Sequence, residues 1–232
     1  MSEKRLAIIT ARGGSKRIPY KNIREFCGRP IIVYSIEAAL QSGVFDEVMV
    51  STDDEKIALI AKEAGAKVPF LRSEKTANDF ATTADVITEV LEEYKKRGQQ
   101  FQSACCIYPT APFITSEKLK NAVELLETRD YDSVMPVAEF SFPPLRGMVM
   151  TEDKVSYKWE EFAMTRSQDL DKIYHDVGQF YVFDVKKFEE AKKLVTKNTG
   201  AIIIDELEMQ DIDNEVDWKL AELKYQLLQE KR

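Results

Sequence analysis

The feature that most constrains the fold is a regular alternation of short apolar runs with amphipathic segments. Residues 6–9, 47–51 and 103–108 are apolar runs of strand length, and segments such as residues 30–42 repeat their apolar side chains with helical spacing. Buried strands that alternate with helices form a right-handed, mostly parallel sheet with helices on both faces. The pattern therefore predicts a three-layer α/β fold.

The same patterns place elements along the whole chain. The predicted strands span residues 6–9, 47–51, 66–71, 103–108, 133–137, 178–183 and 201–204. The predicted helices span residues 30–42, 55–64, 83–98, 117–128, 186–195 and 215–229. Segments 52–55 and 82–85 fit capping boxes, so Asp53 and Asp54 are interpreted as structural rather than as metal ligands. We expect the last helix to pack through a face that includes Val216, Leu220, Leu223 and Leu227.

Composition limits the classes of function. The 232 residues suit one domain, residues 1–232, whose core needs no disulfide or metal. A net charge of -7 and a pI near 5.1 argue against general nucleic-acid binding. The sequence shows neither a membrane span nor a signal-peptide core, which indicates a cytoplasmic protein. The three cysteines fit neither a disulfide framework nor a metal motif.

A basic loop with two glycines follows the first predicted strand. From Ala11 to Arg24 the chain carries five cations and no carboxylate, although the protein as a whole is acidic. Gly13 and Gly14 allow the backbone to turn sharply and to approach a ligand closely. The loop matches neither the Walker A pattern nor Gly-x-Gly-x-x-Gly. We interpret it as a phosphate-binding loop of backbone N–H groups and cations, with a solvated polar loop as the alternative.

Other polar segments are expected to meet this loop. In mostly parallel α/β sheets, ligands bind at the carboxyl ends of the strands. The predicted topology places Arg72, residues 82–83 and the loop 108–113 at the same edge as the basic loop. Their convergence predicts a binding site at that edge.

Residues 139–176 interrupt the α/β alternation. Phe142, Pro143 and Pro144 cannot belong to a central strand, and residues 147–150 and 154–159 have the pattern of a hairpin. A two-stranded unit is marginally stable alone. We therefore expect this excursion to pack on another subunit or to cover the site.

Asp211 and Asp213 are carboxylates with the spacing of a metal site. Because one residue separates them, they point to the same side of an extended chain, and Mg²⁺ is held by one or two carboxylates with phosphate oxygens. The alternative is that Asp213 caps the last helix and Asp211 is a surface charge. His175 is the only histidine and no nucleophile elbow accompanies it, so a hydrolase is disfavoured. A transfer reaction that uses positioned cations and Mg²⁺ fits better.

Five motifs, in order, resemble those of the acylneuraminate cytidylyltransferases. They are Ala11-Arg12-Gly13-Gly14-Ser15-Lys16 with Lys21-Asn22, Val50-Ser51-Thr52-Asp53, Phe80-Ala81-Thr82-Thr83, Tyr108-Pro109-Thr110-Ala111-Pro112 and Gln210-Asp211-Ile212-Asp213. The resemblance covers nearly the whole chain. Within this family the chain looks most like the bacterial pseudaminic acid cytidylyltransferases, on segments 79–85, 105–113, 165–170 and 174–181.

The resemblance implies a nucleotide-binding, Rossmann-like fold that transfers CMP from CTP to a nine-carbon 2-keto sugar acid and releases pyrophosphate. It also implies a homodimer built by the 139–176 excursion, and Mg²⁺ held by Asp211 and Asp213. The implied catalytic residues are Lys16, Arg12 and Lys21. The implied nucleotide-binding residues are Ala11, Gly13, Gly14, Ser15, Asn22, Arg72, Ala81, Thr83, Pro109 and Thr110. The implied sugar-binding residues are Tyr108, Arg166, Tyr174, His175 and Gln179.

The chain departs from the N-acetylneuraminate members of the family at two positions. Tyr108 stands where they commonly have Gln, and Phe113-Ile114 stand where they often have Leu-Arg. Both positions lie near the expected sugar site, so the resemblance favours pseudaminic acid over N-acetylneuraminate or legionaminate. A nucleotide-sugar-dependent glycosyltransferase is the alternative from another class, because an Asp-x-Asp motif in an α/β sheet also suits it. The third hypothesis is a nucleotide sensor that is not an enzyme.

Overall fold

The computed structural model describes residues 4–15 and 17–230 and is built around a seven-stranded mixed sheet. The strands are β1 (Arg5–Thr10), β2 (Glu25–Phe26), β3 (Arg29–Pro30), β4 (Glu47–Ser51), β5 (Ser103–Ile107), β6 (Ser133–Glu139), β7 (Met148–Thr151), β8 (Lys154–Tyr157), β9 (Tyr174–Asp176), β10 (Phe180–Asp184) and β11 (Thr199–Ile203). The helices are α1 (Ile31–Ser42), α2 (Glu55–Glu63), α3 (Glu74–Ala77), α4 (Thr83–Lys96), α5 (Ser116–Arg129), α6 (Val185–Ala191) and α7 (Glu215–Glu230).

The strand order brings several loops to one edge of the sheet. The order is β11-β6-β10-β5-β1-β4, and β9 pairs with the end of β6. β4, β1 and β5 are parallel, whereas β10 runs antiparallel between β5 and β6. Thr10 pairs with Ser51 and Ile9 pairs with Ile107, so the carboxyl ends of these three strands are level. The loops that follow them therefore emerge together.

Two apolar layers cover the sheet and confirm the predicted three-layer α/β fold. Ala7 and Ile9 of β1 face a cluster that includes buried side chains of α1, α2 and α5. Leu6 and Ile8 face the opposite cluster, which α4 and α6 complete. This alternation is the expected pattern of a central strand buried on both faces. Among the described residues, no helix has the length and apolar character needed to cross a membrane.

Two local predictions are corrected. Residues 66–71 form no strand, because pairing is limited to a single bridge between Lys67 and Met49 and Pro69 has no N–H to continue a ladder. The capping box predicted at residues 52–55 is not formed: α2 is capped by Asp54, which accepts hydrogen bonds from the N–H groups of Lys56 and Ile57. The capping box of Thr82 and Asp85 at the start of α4 is confirmed.

The prediction of which face of the last helix packs on the rest of the protein is also wrong. Side chains of that face are exposed, as Val216 (73%) and Leu223 (58%) show. Helix α7 instead buries Trp218 and Ala221 in a third cluster with Ile18 and Phe26. Because Ile18 belongs to the basic loop, this packing fixes the loop against the end of the chain.

The excursion is shorter than predicted at its carboxyl end. Residues 174–176 belong to the main sheet as β9, which pairs with β6 between Glu139–Tyr174 and Val137–Asp176. The predicted hairpin is present as β7 and β8. Its side chains include exposed Met150 (74%) and Val155 (60%). The hairpin thus carries an apolar surface outside the core.

Truncation of Trp218 tests the packing of α7. Its side chain is 1% exposed, packs edge to face on Phe26 and lies under the Arg24 guanidinium. We expect Trp218→Ala to lower the free energy of unfolding by about 3–5 kcal/mol, the usual cost of deleting a large buried aromatic. Urea denaturation measures it, with Val216→Ala on the exposed face as the control, for which we expect about 0.5 kcal/mol or less. Equal losses in the two variants would contradict the assigned face.

Candidate active site

A polar cavity of about 530 Å³ lies at the edge where β1, β4 and β5 end. It is open to solvent and lies beyond the carboxyl ends of the strands, where ligands of such folds bind. The residues predicted from sequence that line it are Arg12, Ser15, Lys21, Asn22, Arg72, Ala81, Thr83, Tyr108, Pro109 and Thr110. The structure thus brings most of the predicted nucleotide-binding set into one cavity.

The glycine turn of the basic loop is held by the segment that follows β4. The N–H of Gly13 donates to Asp53 Oδ1 at 2.9 Å, and the N–H of Ser15 donates to the Gly13 carbonyl at 2.9 Å. A Cβ atom at Gly13 would lie 2.9 Å from the Asp54 side chain, whereas one at Gly14 would meet no atom within 4 Å. Glycine is therefore required at position 13 because two segments approach closely there. Asp53 holds the loop by this hydrogen bond, and the Asp54 side chain fills the space beside Gly13.

Side-chain hydrogen bonds fix the far end of the basic loop. Asn22 is 7% exposed, and its Nδ2 donates to the Arg12 carbonyl at 2.8 Å. Lys21 Nζ donates to the Ile212 carbonyl at 2.7 Å. Burial lowers the pKa of Lys21, and the nearby charges of Asp213 and Asp211 oppose that shift. Lys21 therefore joins the basic loop to the predicted metal-binding segment.

Two arginines of the loop are paired with carboxylates. Arg12 Nη1 lies 2.6 Å from Asp79 Oδ1, and Arg17 Nη1 lies 2.6 Å from Asp213 Oδ2. All four side chains are more than a third exposed. Such exposed ion pairs contribute about 0–1 kcal/mol each. An incoming polyanion can therefore replace these carboxylates at little cost.

Arg72 is the buried cation of the cavity. It is 8% exposed, and its guanidinium donates to the hydroxyl and carbonyl oxygens of Ser51 at 3.0 and 2.7 Å. Burial lowers the pKa of Arg72, and the charges of Asp53 and Glu89 oppose that shift. A rigid, desolvated guanidinium of this kind suits recognition of a flat polar group more than loose attraction of an anion.

The segment opposite Arg72 is shaped by Asn78 and Tyr108. Asn78 Oδ1 accepts from the N–H groups of Phe80 and Ala81 at 2.8 and 3.1 Å. The hydroxyl groups of Thr83 and Tyr108 are 3.3 Å apart. Tyr108 thus contacts α4 through Thr83, and its ring packs edge to face on Tyr181 of β10.

The predicted sugar-binding residues divide into two groups. Gln179 is 2% exposed and adjoins Tyr108, whose N–H donates to the Gln179 carbonyl at 2.8 Å. Its side-chain Nε2 donates to the Glu208 carbonyl at 2.7 Å, while its buried Oε1 has no partner among the described residues. Gln179 lies behind Tyr108 and does not itself line the cavity, and neither do Arg166, Tyr174 and His175. Arg166 pairs with its neighbour Asp169 at 2.7 Å on the surface of the excursion.

The carboxylates of Asp211 and Asp213 lie beside the basic loop but outside the cavity wall. The predicted capping of α7 falls to Asn214, whose Oδ1 accepts from the N–H groups of Val216 and Asp217. Residues 4–15 and 17–230 contain no group of three or more His, Cys, Asp and Glu side chains arranged to hold a metal. Two carboxylates beside a polyanion site nevertheless fit Mg²⁺, which takes its remaining ligands from phosphate and water.

The cysteines do not supply a nucleophile. Cys105 and Cys106 are fully buried in β5, and burial raises the pKa of the Cys106 thiol to about 12. A thiolate is thus disfavoured at neutral pH. Both side chains are part of the core, Cys105 on one face of the sheet and Cys106 on the other.

Several residues of the site were not selected from the sequence. The additional residues that line the cavity are Thr10, Arg17, Ile18, Thr76, Asn78, Asp79 and Val86. Asn78 had a usable signal, because Asn and Asp before a helix commonly close a turn through their side chains. Lys16 and the termini fall outside the described residues.

A larger groove of about 780 Å³ lies elsewhere, between α1, α5 and the carboxyl end of α7. Two ion pairs lie in its wall, Arg29–Glu37 at 2.7 Å and Lys118–Glu208 at 3.0 Å. It contains neither the basic loop nor Arg72. The smaller cavity is therefore the candidate active site.

Substitution of Gly13 tests the close approach in the loop. We expect Gly13→Ala to weaken binding of CTP, the triphosphate that the resemblance implies, by about tenfold or more, because the added methyl displaces the loop from Asp54. Isothermal titration calorimetry measures the affinity. Gly14→Ala, in the same loop, is the matched comparison, since it changes the unfolded chain equally but meets no neighbour and so adds no clash with Asp54. Equal effects at the two positions would exclude this role for Gly13.

Comparison with known proteins identifies the family. The family model described as Cytidylyltransferase matches residues 6–206. The pseudaminic acid cytidylyltransferase of Campylobacter jejuni subsp. jejuni serotype O:2 is 38% identical over 225 residues, which cover 97% of each chain. The CMP-N,N'-diacetyllegionaminic acid synthase of Legionella pneumophila subsp. pneumophila is 35% identical over 232 residues, again 97% of each chain.

Solved structures confirm the fold. The structure of CMP:2-keto-3-deoxy-manno-octonic acid synthetase in complex with CTP superposes with a TM-score of 0.69 at 17% identity, covering 98% of this chain and 99% of that one. The predicted resemblance and the nucleotide-binding, Rossmann-like fold are thereby confirmed. The chain belongs to the cytidylyltransferase family.

Proposed function

We propose that the protein transfers CMP from CTP to a nonulosonic acid, with pseudaminic acid as the preferred nine-carbon sugar acid, and releases pyrophosphate. The observation that carries the proposal is that one cavity joins the basic loop to the buried Arg72, with Asp211 and Asp213 close to the loop. The relatives named above support the choice of CTP and of a nonulosonic acid.

We assign the nucleobase to one end of the cavity and the triphosphate to the other. Arg72, with Ala81 and Thr83, would recognise the cytosine, because a rigid guanidinium donates to the base oxygen and ring nitrogen. Asn22 would contact the ribose. The triphosphate would lie along the loop, on Arg12, Lys21 and backbone N–H groups. Lys16, which falls outside the described residues, keeps its predicted catalytic role.

The chemistry is a displacement at the α-phosphate. The anomeric hydroxyl oxygen of the sugar acid forms a bond to the α-phosphorus and gives up its proton to solvent, the bond to the bridging oxygen breaks, and pyrophosphate leaves with that electron pair. Arg12 and Lys21 would stabilise the charge that develops on the phosphate oxygens. Bound Mg²⁺, held by Asp211 and Asp213, would supply further charge neutralisation for the leaving group.

The sugar would bind between Tyr108 and Gln179. The buried Oε1 of Gln179 has no hydrogen-bond partner among the described residues. Buried acceptors usually have a donor, and a hydroxyl or acetamido N–H group of the sugar would be that donor. Arg166, Tyr174 and His175 lie toward the excursion rather than in this cavity. In the proposed homodimer they would complete the site of the partner subunit, with Arg166 facing the sugar carboxylate.

Pyrophosphate release tests the proposed function. The purified chain is assayed with CTP, Mg²⁺ and separately with pseudaminic acid, N-acetylneuraminate and legionaminate, and then with UTP, ATP and GTP. We expect release with CTP and the highest kcat/KM with pseudaminic acid. Release that requires no sugar acid, or equal use of all four nucleotides, would overturn the proposal.

Substitution of Asp211 tests the metal assignment. We expect Asp211→Asn to raise the Mg²⁺ concentration needed for half-maximal activity by about tenfold, because one anionic ligand is lost. A Mg²⁺ titration at saturating substrates measures it. Glu206→Gln removes a nearby exposed carboxylate and serves as the control. A titration curve unchanged by Asp211→Asn would remove this residue from the metal site.

Substitution of Met150 tests the proposed dimer interface. Its side chain is 74% exposed, so Met150→Glu should leave the subunit folded while placing a charge in an apolar contact. We expect light scattering to report a monomer. Leu59→Glu, at an exposed position (59%) on α2, is the control and should remain dimeric. A dimer that survives Met150→Glu would place the interface elsewhere.

A further inference from the structure

Glu89 of α4 ties down the turn that follows Arg72. Its Oε1 accepts from the N–H of Ser73 at 2.8 Å, and its Oε2 accepts from the Ser73 hydroxyl at 2.7 Å. The Thr76 hydroxyl donates to the same Oε2. One partly buried carboxylate therefore gathers three donors from a four-residue turn. Burial would raise the pKa of Glu89, but these hydrogen bonds and the Arg72 charge outweigh it and lower the pKa.

Two residues at this turn line the candidate active site. Arg72 directly precedes the turn, and Thr76 lies within it and is only 4% exposed. On its other side, the N–H of Arg72 donates to the Thr52 carbonyl at 2.8 Å, just beyond β4. Arg72 is thus fixed between the end of β4 and the anchor on α4. Removing Glu89 leaves only the β4 side of that support.

Glu89 also acts on Arg72 electrostatically. The Arg72 guanidinium is desolvated, and the charges of Asp53 and Glu89 compensate for part of that cost. The guanidinium itself donates hydrogen bonds to neutral oxygens of Ser51. The carboxylate of Glu89 therefore supports both the position and the charge of Arg72 without touching the space that a ligand would fill.

We propose that Glu89 is a positioning residue for recognition of the nucleobase: by holding residues 73–76 it sets where Arg72 and Thr76 meet the base. The inference rests on the proposed function, in which Arg72 recognises cytosine. It predicts that Glu89 affects nucleotide affinity and base selectivity. It predicts no effect of Glu89 on binding of the sugar acid or of the metal. Uracil presents an N–H where cytosine presents an acceptor nitrogen, so a displaced guanidinium discriminates less between them.

The test compares Glu89→Ala and Glu89→Gln with the wild type. We expect Glu89→Ala to raise both the KM and the calorimetric Kd for CTP by about tenfold and to lower the CTP-to-UTP ratio of kcat/KM by a similar factor. Glu89→Gln keeps one acceptor oxygen and most of the volume, so it should restore part of the affinity. The KM for the sugar acid should not change in either variant.

Glu93→Gln is the matched control, because Glu93 is a partly exposed carboxylate one turn further along α4 that pairs with Lys96 at 2.7 Å and with Arg97. We expect it to leave CTP binding unchanged. A lowered Tm with unchanged CTP affinity and base selectivity in every Glu89 variant that folds would overturn the proposal, as would equal losses for CTP and for the sugar acid. If Glu89→Ala does not fold, Glu89→Gln carries the test.

Binding of CTP without sugar separates this inference from the proposed reaction. If the wild type binds CTP but releases no pyrophosphate, the proposed reaction fails, while the Kd values of the Glu89 variants still decide the role of Glu89. If the wild type does not bind CTP, both proposals fail.

Discussion

The candidate site depends on contacts between the basic loop and the segment that leads into the last helix. Lys21 Nζ reaches the Ile212 carbonyl across 191 residues of sequence, and Arg17–Asp213 and Arg24–Glu215 form ion pairs beside it. Trp218 and Ile18 pack beneath these polar contacts in a shared apolar cluster. The sheet alone would leave the basic loop projecting from the end of β1. The last helix fixes that loop and places two carboxylates next to its cations, as a triphosphate with a bound metal requires.

The charges of the cavity differ in how firmly they are held. Arg12 and Arg17 are exposed and paired with carboxylates, so a polyanion can exchange for those partners cheaply. Arg72 is buried, hydrogen-bonded to Ser51 and supported through Glu89. The exposed cations suit attraction of a flexible phosphate chain, whereas the fixed guanidinium suits selection of one base.

The fold and the main site were predictable because they follow from apolar runs and from where strands end. Arg72, Thr83 and Tyr108 were placed at one edge by topology alone, and the cavity unites them. The features that the sequence did not predict correctly depend on contacts between segments that are distant in the sequence. Helix α7 has apolar residues on several sides, and only contact with Phe26 and Ile18 selects Trp218 over Val216 as the buried one. Ion pairs such as Arg12–Asp79 leave no sequence pattern, because each partner is also a common surface residue.

We propose that residues 12–22 and 211–213 form one triphosphate and metal site, with Arg72 at the nucleobase. The decisive experiment is a crystal structure of the protein with CTP and Mn²⁺, in which anomalous scattering locates the metal. We expect the triphosphate on the basic loop, the cytosine at Arg72 and the metal between Asp211 and the phosphates. A nucleotide in the larger groove between α1, α5 and α7, or a metal remote from Asp211, would contradict it.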